Sequence, residues 1–292
     1  SICNTSNVDV ILVRYAEVGL KSPGVRRYFE NILIDNILNN LAHHQIEALV
    51  DCEQGRIHVT TDKIEAAIPV LTKVFGVASV SPAYTCSSDM AEMCQAVADF
   101  SRDYMSEGIS FAVKARREGN HPYSSMDVGR EVGSAIFIAN EDRNVKVNLS
   151  KPDMTFYVEI RGKSARVFTE YIPGPGGLPF GSQGKVVAFV ETEKDALAAW
   201  FMMKRGCRAV IAGREDGAAR LLREWVPNLK IMDCSIKDVL YKENKILAAV
   251  YGYTLRDIDK IKSVNLSLPA FYPLSGMSDE EVDSWILKVL NS

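Results

Sequence analysis

No run in this 292-residue sequence approaches the about 18 consecutive apolar residues of a membrane span, and no basic-then-apolar pattern opens it. Neither a membrane anchor nor a secretory leader is expected, and the cytoplasm is the expected compartment. Cysteine is sparse: Cys3, Cys52, Cys86, Cys94, Cys207 and Cys234 are scattered, with no CxxC pair and no histidine at metal-ligand spacing. This pattern excludes a zinc ribbon or a disulfide framework and predicts reduced, mostly buried thiols. The four histidines form no metal set either, because His43 and His44 are adjacent and point apart on a helix. An excess of positive charge is missing too. Residues 1–175 hold 18 Lys and Arg against 22 Asp and Glu, and residues 176–292 hold 16 against 15. The balance argues against indiscriminate nucleic-acid binding, and any such site must be a local patch.

What remains is the composition of an ordinary globular chain, long enough for two or three domains. Val8 to Tyr15 reads as a buried strand, and Pro23-Gly24 as a chain break. Arg26 to His43 carries Phe29, Ile32, Leu33, Ile37, Leu38 and Leu41 at helical spacing. Residues 48–53 and 56–60 read as a hairpin, 64–74 as a helix and 77–83 as a strand. Strand, helix, strand, strand, helix, strand is the order of a ferredoxin-like unit. Arg14, Lys21, Arg26 and Arg27 face a single acid, Glu17, near a helix start, where cations oppose the helix dipole.

Beyond residue 85, helices are expected over 89–105 and 127–140, and strands over 109–116, 146–148, 155–160 and 165–171. Alternation of Phe111, Val113 and Ala115 puts Lys114 and Arg116 on the opposite, exposed face. Arg117, His121, Tyr123 and Ser124 follow in a loop, with Ser124 or Ser125 as helix cap and Arg130 one turn further in. A cationic strand end, an aromatic, hydroxyls and a free helix N-terminus suit phosphate and ribose contacts. Arg161, Lys163 and Arg166 form a second cationic cluster with no acid inside it.

The segments RYAEVGLKSPGVRRYFENIL, GRIHV, KVFGVASVSP, FAVKARREGNHPYSSMDVGREVGSAI and GPGGLPFGSQGKV occur in that order over roughly the first 190 residues. Together they resemble the tRNA 4-thiouridine synthetases, also called tRNA sulfurtransferases. The resemblance implies a ferredoxin-like domain and a THUMP domain that together grip tRNA, followed by a PP-loop domain that uses ATP. It also implies a cysteine persulfide as sulfur carrier and a homodimer. The tRNA-gripping positions it carries over are Arg14, Lys21, Arg26 and Arg27, then Lys114, Arg116, Arg117, His121, Tyr123, Ser124 and Arg130.

From residue 185 strands and helices alternate: strands at 185–190, 208–212, 230–233, 246–250 and 268–272, and helices at 195–205, 217–225, 236–243 and 255–262. A last helix is announced by Ser278 three residues before Glu281. This is the pattern of a Rossmann-like parallel sheet. Where the family carries SGGxDS, this chain reads Val190, Glu191, Thr192, Glu193, Lys194, Asp195. Glycines would let backbone N–H groups curl round a phosphate, whereas Thr192 with Asp195 reads as a self-capping helix start. Each carboxylate at about 4 Å from a phosphate charge costs on the order of 1–4 kcal/mol. Cys234, at a strand end, is the one candidate sulfur carrier, and the family's cysteine-bearing segment and rhodanese-like extension have no counterpart in the sequence.

The expected organisation is therefore an α+β N-terminal half followed by an α/β domain: a ferredoxin-like domain over 1–80, a THUMP domain over 81–172, a linker over 173–184 and a degenerate PP-loop domain over 185–292. The expected function is tRNA binding without ATP-dependent adenylation of its own, with no metal. The alternatives are an active thiolation enzyme using ATP through substitute residues or a partner protein that supplies sulfur or catalysis, and a scaffold that ignores nucleic acid.

Overall fold

The structure, a computed structural model, describes residues 7–15, 22–53 and 55–291. Residues 10–87 supply β1 (Val10–Tyr15), α1 (Pro23–His43), β2 (Leu49–Glu53), β3 (Arg56–Thr60), α2 (Ile64–Leu71) and β4 (Val77–Ser87). Then come α3 (Met90–Ser101), β5 (Ser110–Glu118), α4 (Ser125–Ala139), β6 (Lys146–Val147), β7 (Met154–Arg161), β8 (Ser164–Phe168) and β9 (Ile172–Pro173). The remainder forms β10 (Lys185–Val190), α5 (Glu193–Lys204), β11 (Arg208–Gly213), β12 (Ile231–Met232), α6 (Ile236–Lys242), β13 (Ile246–Val250), α7 (Ile258–Ser263), β14 (Ala270–Phe271) and α8 (Asp279–Val289). Two compact units result: the described residues of 1–13, 47–68 and 80–172, and those of 14–46, 69–79 and 173–292. Among the described residues no helix is long and apolar enough to cross a membrane.

In the first unit the strands join one sheet in the order β2-β3-β1-β4-β8-β7-β5-β6, with β9 paired to β4. Its first four strands have the ferredoxin-like order expected from the sequence. Strict alternation along β7 buries Phe156, Val158 and Ile160 in a core with Met93 and Val97 of α3 and Val128, Val132 and Ile136 of α4. Tyr157, Glu159 and Arg161 therefore face the other way. On that other face Arg56 of β3 meets Glu159 of β7, Nη1 to Oε2, at 2.7 Å. These strands lie four places apart, about 19 Å across a flat sheet at the usual strand spacing. The sheet must curl to bring them together, so the face opposite α3 and α4 is concave.

The second unit is built on a fully parallel sheet of order β12-β11-β10-β13-β14. Helix α5 buries Ala196, Leu197, Ala198, Ala199, Trp200, Met202 and Met203, so it is apolar nearly all round, as a core helix must be. Each large side chain so buried contributes about 1.5–3 kcal/mol. Helix α1 belongs to this unit: Asn36 Nδ2 donates to the Phe180 carbonyl at 2.9 Å and Asn40 Nδ2 to the Trp225 carbonyl at 3.2 Å.

Three local expectations need correction. Pro23 does not break the chain but opens α1 behind the Ser22 cap, where its missing N–H costs nothing. Residues 218–224 wind as a 3-10 helix rather than an α-helix, and 255–262 divides into a 3-10 turn (Leu255–Asp257) followed by α7. In the second case Thr254 and Asp257 cap each other across the tight turn, closing a separate helix start. The hairpin residue Gln54 lies outside the described residues.

Candidate nucleic-acid interface and switch-point crevice

On β5 the burial pattern leaves Lys114, Arg116 and Glu118 exposed, as the alternation predicts, on the concave face. The ladder sets Lys114 beside Tyr157, Arg116 beside Glu159 and Glu118 beside Arg161. Lys114, Arg116 and Lys163 form no ion pair with another described residue. Arg161 does, to Glu118 at 3.4 Å, so the second cluster is not free of acid as its own sequence suggested. The reason is ladder register, which no local window contains.

The loop after β5 is tied rather than splayed. Arg117 Nη1 donates to the Gly119 carbonyl at 2.6 Å and approaches His121 Nδ1 at 3.5 Å. His121 Nε2 donates to the Gly162 carbonyl at 2.8 Å, which requires a proton on Nε2. The His121 ring stacks on Tyr123 at 5.4 Å, and the Tyr123 hydroxyl donates to the Ser88 carbonyl. The α4 N-terminus, expected to be free, is closed by a capping box in which Ser124 and Asp127 satisfy each other's backbone N–H. The backbone N–H of Ser124, then the Ser124 hydroxyl, then Arg130 at 3.1 Å, hold the Asp127 carboxyl below the usual range. Arg130 itself projects, 69% exposed.

Curling of the sheet adds residues that the sequence reading passed over. A cavity of ≈ 230 Å³ on the concave face is lined by Glu53, His58, Arg161, Lys163, Ser164 and Arg166. The Nε of Arg166 is buried without a hydrogen-bond partner. Burial lowers the His58 pKa against the pull of a 3.1 Å hydrogen bond to Asp51, and the nearby Arg166 charge lowers it further. Arg56 and His58 lie in the GRIHV segment, but nothing local assigned them to this face; their period-2 placement on β3 with the concave-facing Leu12 partner is the signal that could have flagged them.

In the second unit Arg14 Nη1 donates to Ser79 Oγ at 3.3 Å, and Arg26 approaches Glu30 at 3.7 Å along α1. Arg27 is exposed at the start of the second turn of α1. Lys21 lies outside the described residues. Strand order reverses between β10 and β13, and the carboxyl ends of those strands are where such sheets receive ligands. There Val190 ends β10, and Thr192 and Asp195 form a full capping box on α5, as the sequence indicates. Asp195 Oδ2 accepts from the backbone N–H of Glu191 and of Thr192, each at 3.0 Å, while Thr192 Oγ1 accepts from Asp195 N–H at 3.3 Å. Lys194 Nζ is drawn to Asp257 Oδ2 at 2.6 Å. Glu191 and Glu193 stay exposed.

Gly252, just past β13, seals the other side. A Cβ there would fall 2.6 Å from Asp195 Cα and 2.6 Å from its Oδ1. Tyr251 stacks on Tyr253 at 5.2 Å and on Tyr272 at 6.0 Å beside this closure. Burial first, then the Asp195, Asp257 and Glu191 charges, raise the Tyr253 phenol. Cys234 follows the edge strand β12, two strands from the switch point, and packs partly buried against the core formed by Val187, Val210 and Val239. Among the described residues no group of His, Cys, Asp and Glu could hold a metal ion.

Comparison with known proteins places these features in a family. Residues 10–81 match the ThiI ferredoxin-like domain and residues 87–170 the THUMP domain. The probable tRNA sulfurtransferase of Methanosarcina acetivorans is 43% identical over 202 residues, covering 68% of this chain and 49% of that protein. That of Methanocaldococcus jannaschii is 35% identical over 265 residues, covering 87% of this chain and 67% of that protein. The chain spans about half the length of the first of these relatives. A crystal structure of PH1313 from Pyrococcus horikoshii superposes with a TM-score of 0.82 at 27% identity, covering 97% of this chain and all of that one. A 4-thiouridine synthetase crystallised with RNA and ATP shares the fold at 22% identity, with a TM-score of 0.77 over 97% of this chain and 85% of its own. The chain belongs to the tRNA sulfurtransferase family.

Proposed function

We propose that this chain is a cytoplasmic tRNA-binding member of the family whose α/β domain does not itself run the ATP-dependent step. Phosphate contacts supply most nucleic-acid affinity, and structured RNA is held by shape and backbone. Lys114, Arg116 and Lys163, unpaired and on or beside one concave face, with Arg130 exposed at the start of α4, suit that task. The tied loop holding His121 and Tyr123 keeps the surface preorganised and leaves few side chains to immobilise on binding. Arg14, Arg26 and Arg27 are proposed as a second phosphate-contacting group, contributed by the other unit.

The observation that carries the second half of the reading is the Asp195 carboxylate. It occupies the Glu191 and Thr192 backbone N–H groups that a phosphate loop would offer. Gly252 packs against it too closely to leave a cradle, so the residues present do not fit a nucleotide triphosphate. Lys194, the one cation of the turn, is spent on Asp257. Cys234, away from the switch point, is not proposed to carry sulfur.

A gel shift with bulk tRNA at low salt tests the first half. Exchanging Lys114 and Arg116 together for Ala is expected to weaken binding by at least tenfold and to flatten its salt dependence by about two phosphate contacts. Unchanged affinity, or no shift by the parent chain, would overturn it.

A further inference from the structure

At the amino-terminal end of the parallel strands, opposite the crevice, lies a cavity of ≈ 350 Å³ that the functional reading does not use. Lys185 opens β10, Arg208 opens β11, and Lys230 immediately precedes β12. Three adjacent parallel strands thus begin with, or just after, a cation, and all three cations line the cavity. Lys185 and Arg208 are register partners. Like charges directly opposed on neighbouring strands cost stability, so packing alone does not explain them.

One carboxylate answers the three. Glu243 takes Lys185 at 3.2 Å through Oε2 and Lys230 through Oε1, and these two hydrogen bonds hold its carboxyl below the usual range. Arg208 has no acid among the described residues. Its guanidinium carbon lies 5.8 Å from the Phe180 ring centre, a cation–π contact that leaves its N–H groups unused. The cavity therefore holds an excess of two positive charges, with the amide of Asn39 at its wall. A phosphomonoester carries about −1.5 to −2 charges at neutral pH and accepts a guanidinium bidentately.

We propose that this cavity binds a phosphomonoester, with Arg208 as its principal donor and Lys185 and Lys230 completing the charge. The same chemistry is presented by a free nucleoside monophosphate and by the 5′ end of an RNA, and the test separates them. AMP and inorganic phosphate are titrated calorimetrically into the full chain, and filter binding compares 5′-phosphorylated with dephosphorylated tRNA. Saturable AMP or phosphate binding that weakens at least tenfold in Arg208→Ala assigns the cavity to free phosphomonoesters. A tenfold preference for 5′-phosphorylated tRNA, erased by Arg208→Ala, with no binding of AMP or phosphate, assigns it to an RNA terminus. The exposed substitution Lys230→Gln is expected to give a smaller loss in the same assay and serves if Arg208→Ala does not fold. Absence of AMP and phosphate binding together with equal affinity for the two tRNAs overturns the proposal, as does binding unchanged in both variants. The AMP arm is independent of whether the chain grips tRNA at all.

Discussion

Among single residues, the Arg56–Glu159 pair tests the curl of the sheet most sharply. Its side chains are 16% and 10% exposed, so each charge depends on the other for what water would have supplied. Removing one partner of such a pair leaves a buried charge uncompensated, typically a loss of 3–5 kcal/mol. Glu159→Gln is expected to destabilise the chain by about 3 kcal/mol in urea denaturation; a loss below about 1 kcal/mol would show that the two side chains do not meet as described. His58, on the same concave face, gives a pH signature. Its folded pKa lies below that of the unfolded chain because burial dominates. Below about pH 6.5 the unfolded chain therefore binds the extra proton, and stability falls as the pH drops from there towards the lowered folded value. His58→Gln is expected to flatten this segment of the stability profile, and an unchanged slope would contradict it. The exposure of Lys114 and Arg116 was legible in the sequence, because a period-2 pattern assigns faces by itself. The roles of Arg56 and His58 were not, because they depend on a contact between strands four places apart.

Element by element, the turn from β10 into α5 was the most legible part of the chain. Thr192 and Asp195 at capping-box spacing predict a closed helix start, and the hydrogen bonds of the structure are those of that motif. What the sequence withheld was the opposite wall. Gly252 lies 57 residues from Asp195, and only the parallel pairing of β10 with β13 sets it against the helix. Gly252→Ala would drive a methyl group into the α5 backbone. It is expected to cost about 1–3 kcal/mol through overpacking, read as a lowered urea midpoint with an unchanged m-value. A neutral effect would mean that the crevice has room to open. The α4 start was half legible: Ser124 as cap was readable, but the reciprocal bond from Asp127 turned a free N-terminus into an occupied one. The 3-10 helix at 218–224 gave no warning, since its apolar spacing suits an α-helix equally well.

In the molecule as a whole, the two units carry separate parts of the account. The first offers cations without partners on a preorganised concave face, and the second offers a parallel sheet whose usual ligand end is closed by its own side chains. The ferredoxin-like unit and the parallel sheet followed from element order, as the strand order 2-3-1-4 of the first sheet and the all-parallel second sheet bear out, whereas the THUMP domain followed from the family resemblance. The inclusion of α1 in the second unit did not, because it rests on Asn36 and Asn40 reaching backbone carbonyls far along the chain. The most direct test of the central claim is calorimetric titration of ATP into the tRNA-loaded chain, carried out with Arg208→Ala so that the separate anion cavity does not contribute. The account predicts no saturable heat up to millimolar ATP, with tRNA still bound. ATP binding in the micromolar range under these conditions would contradict it.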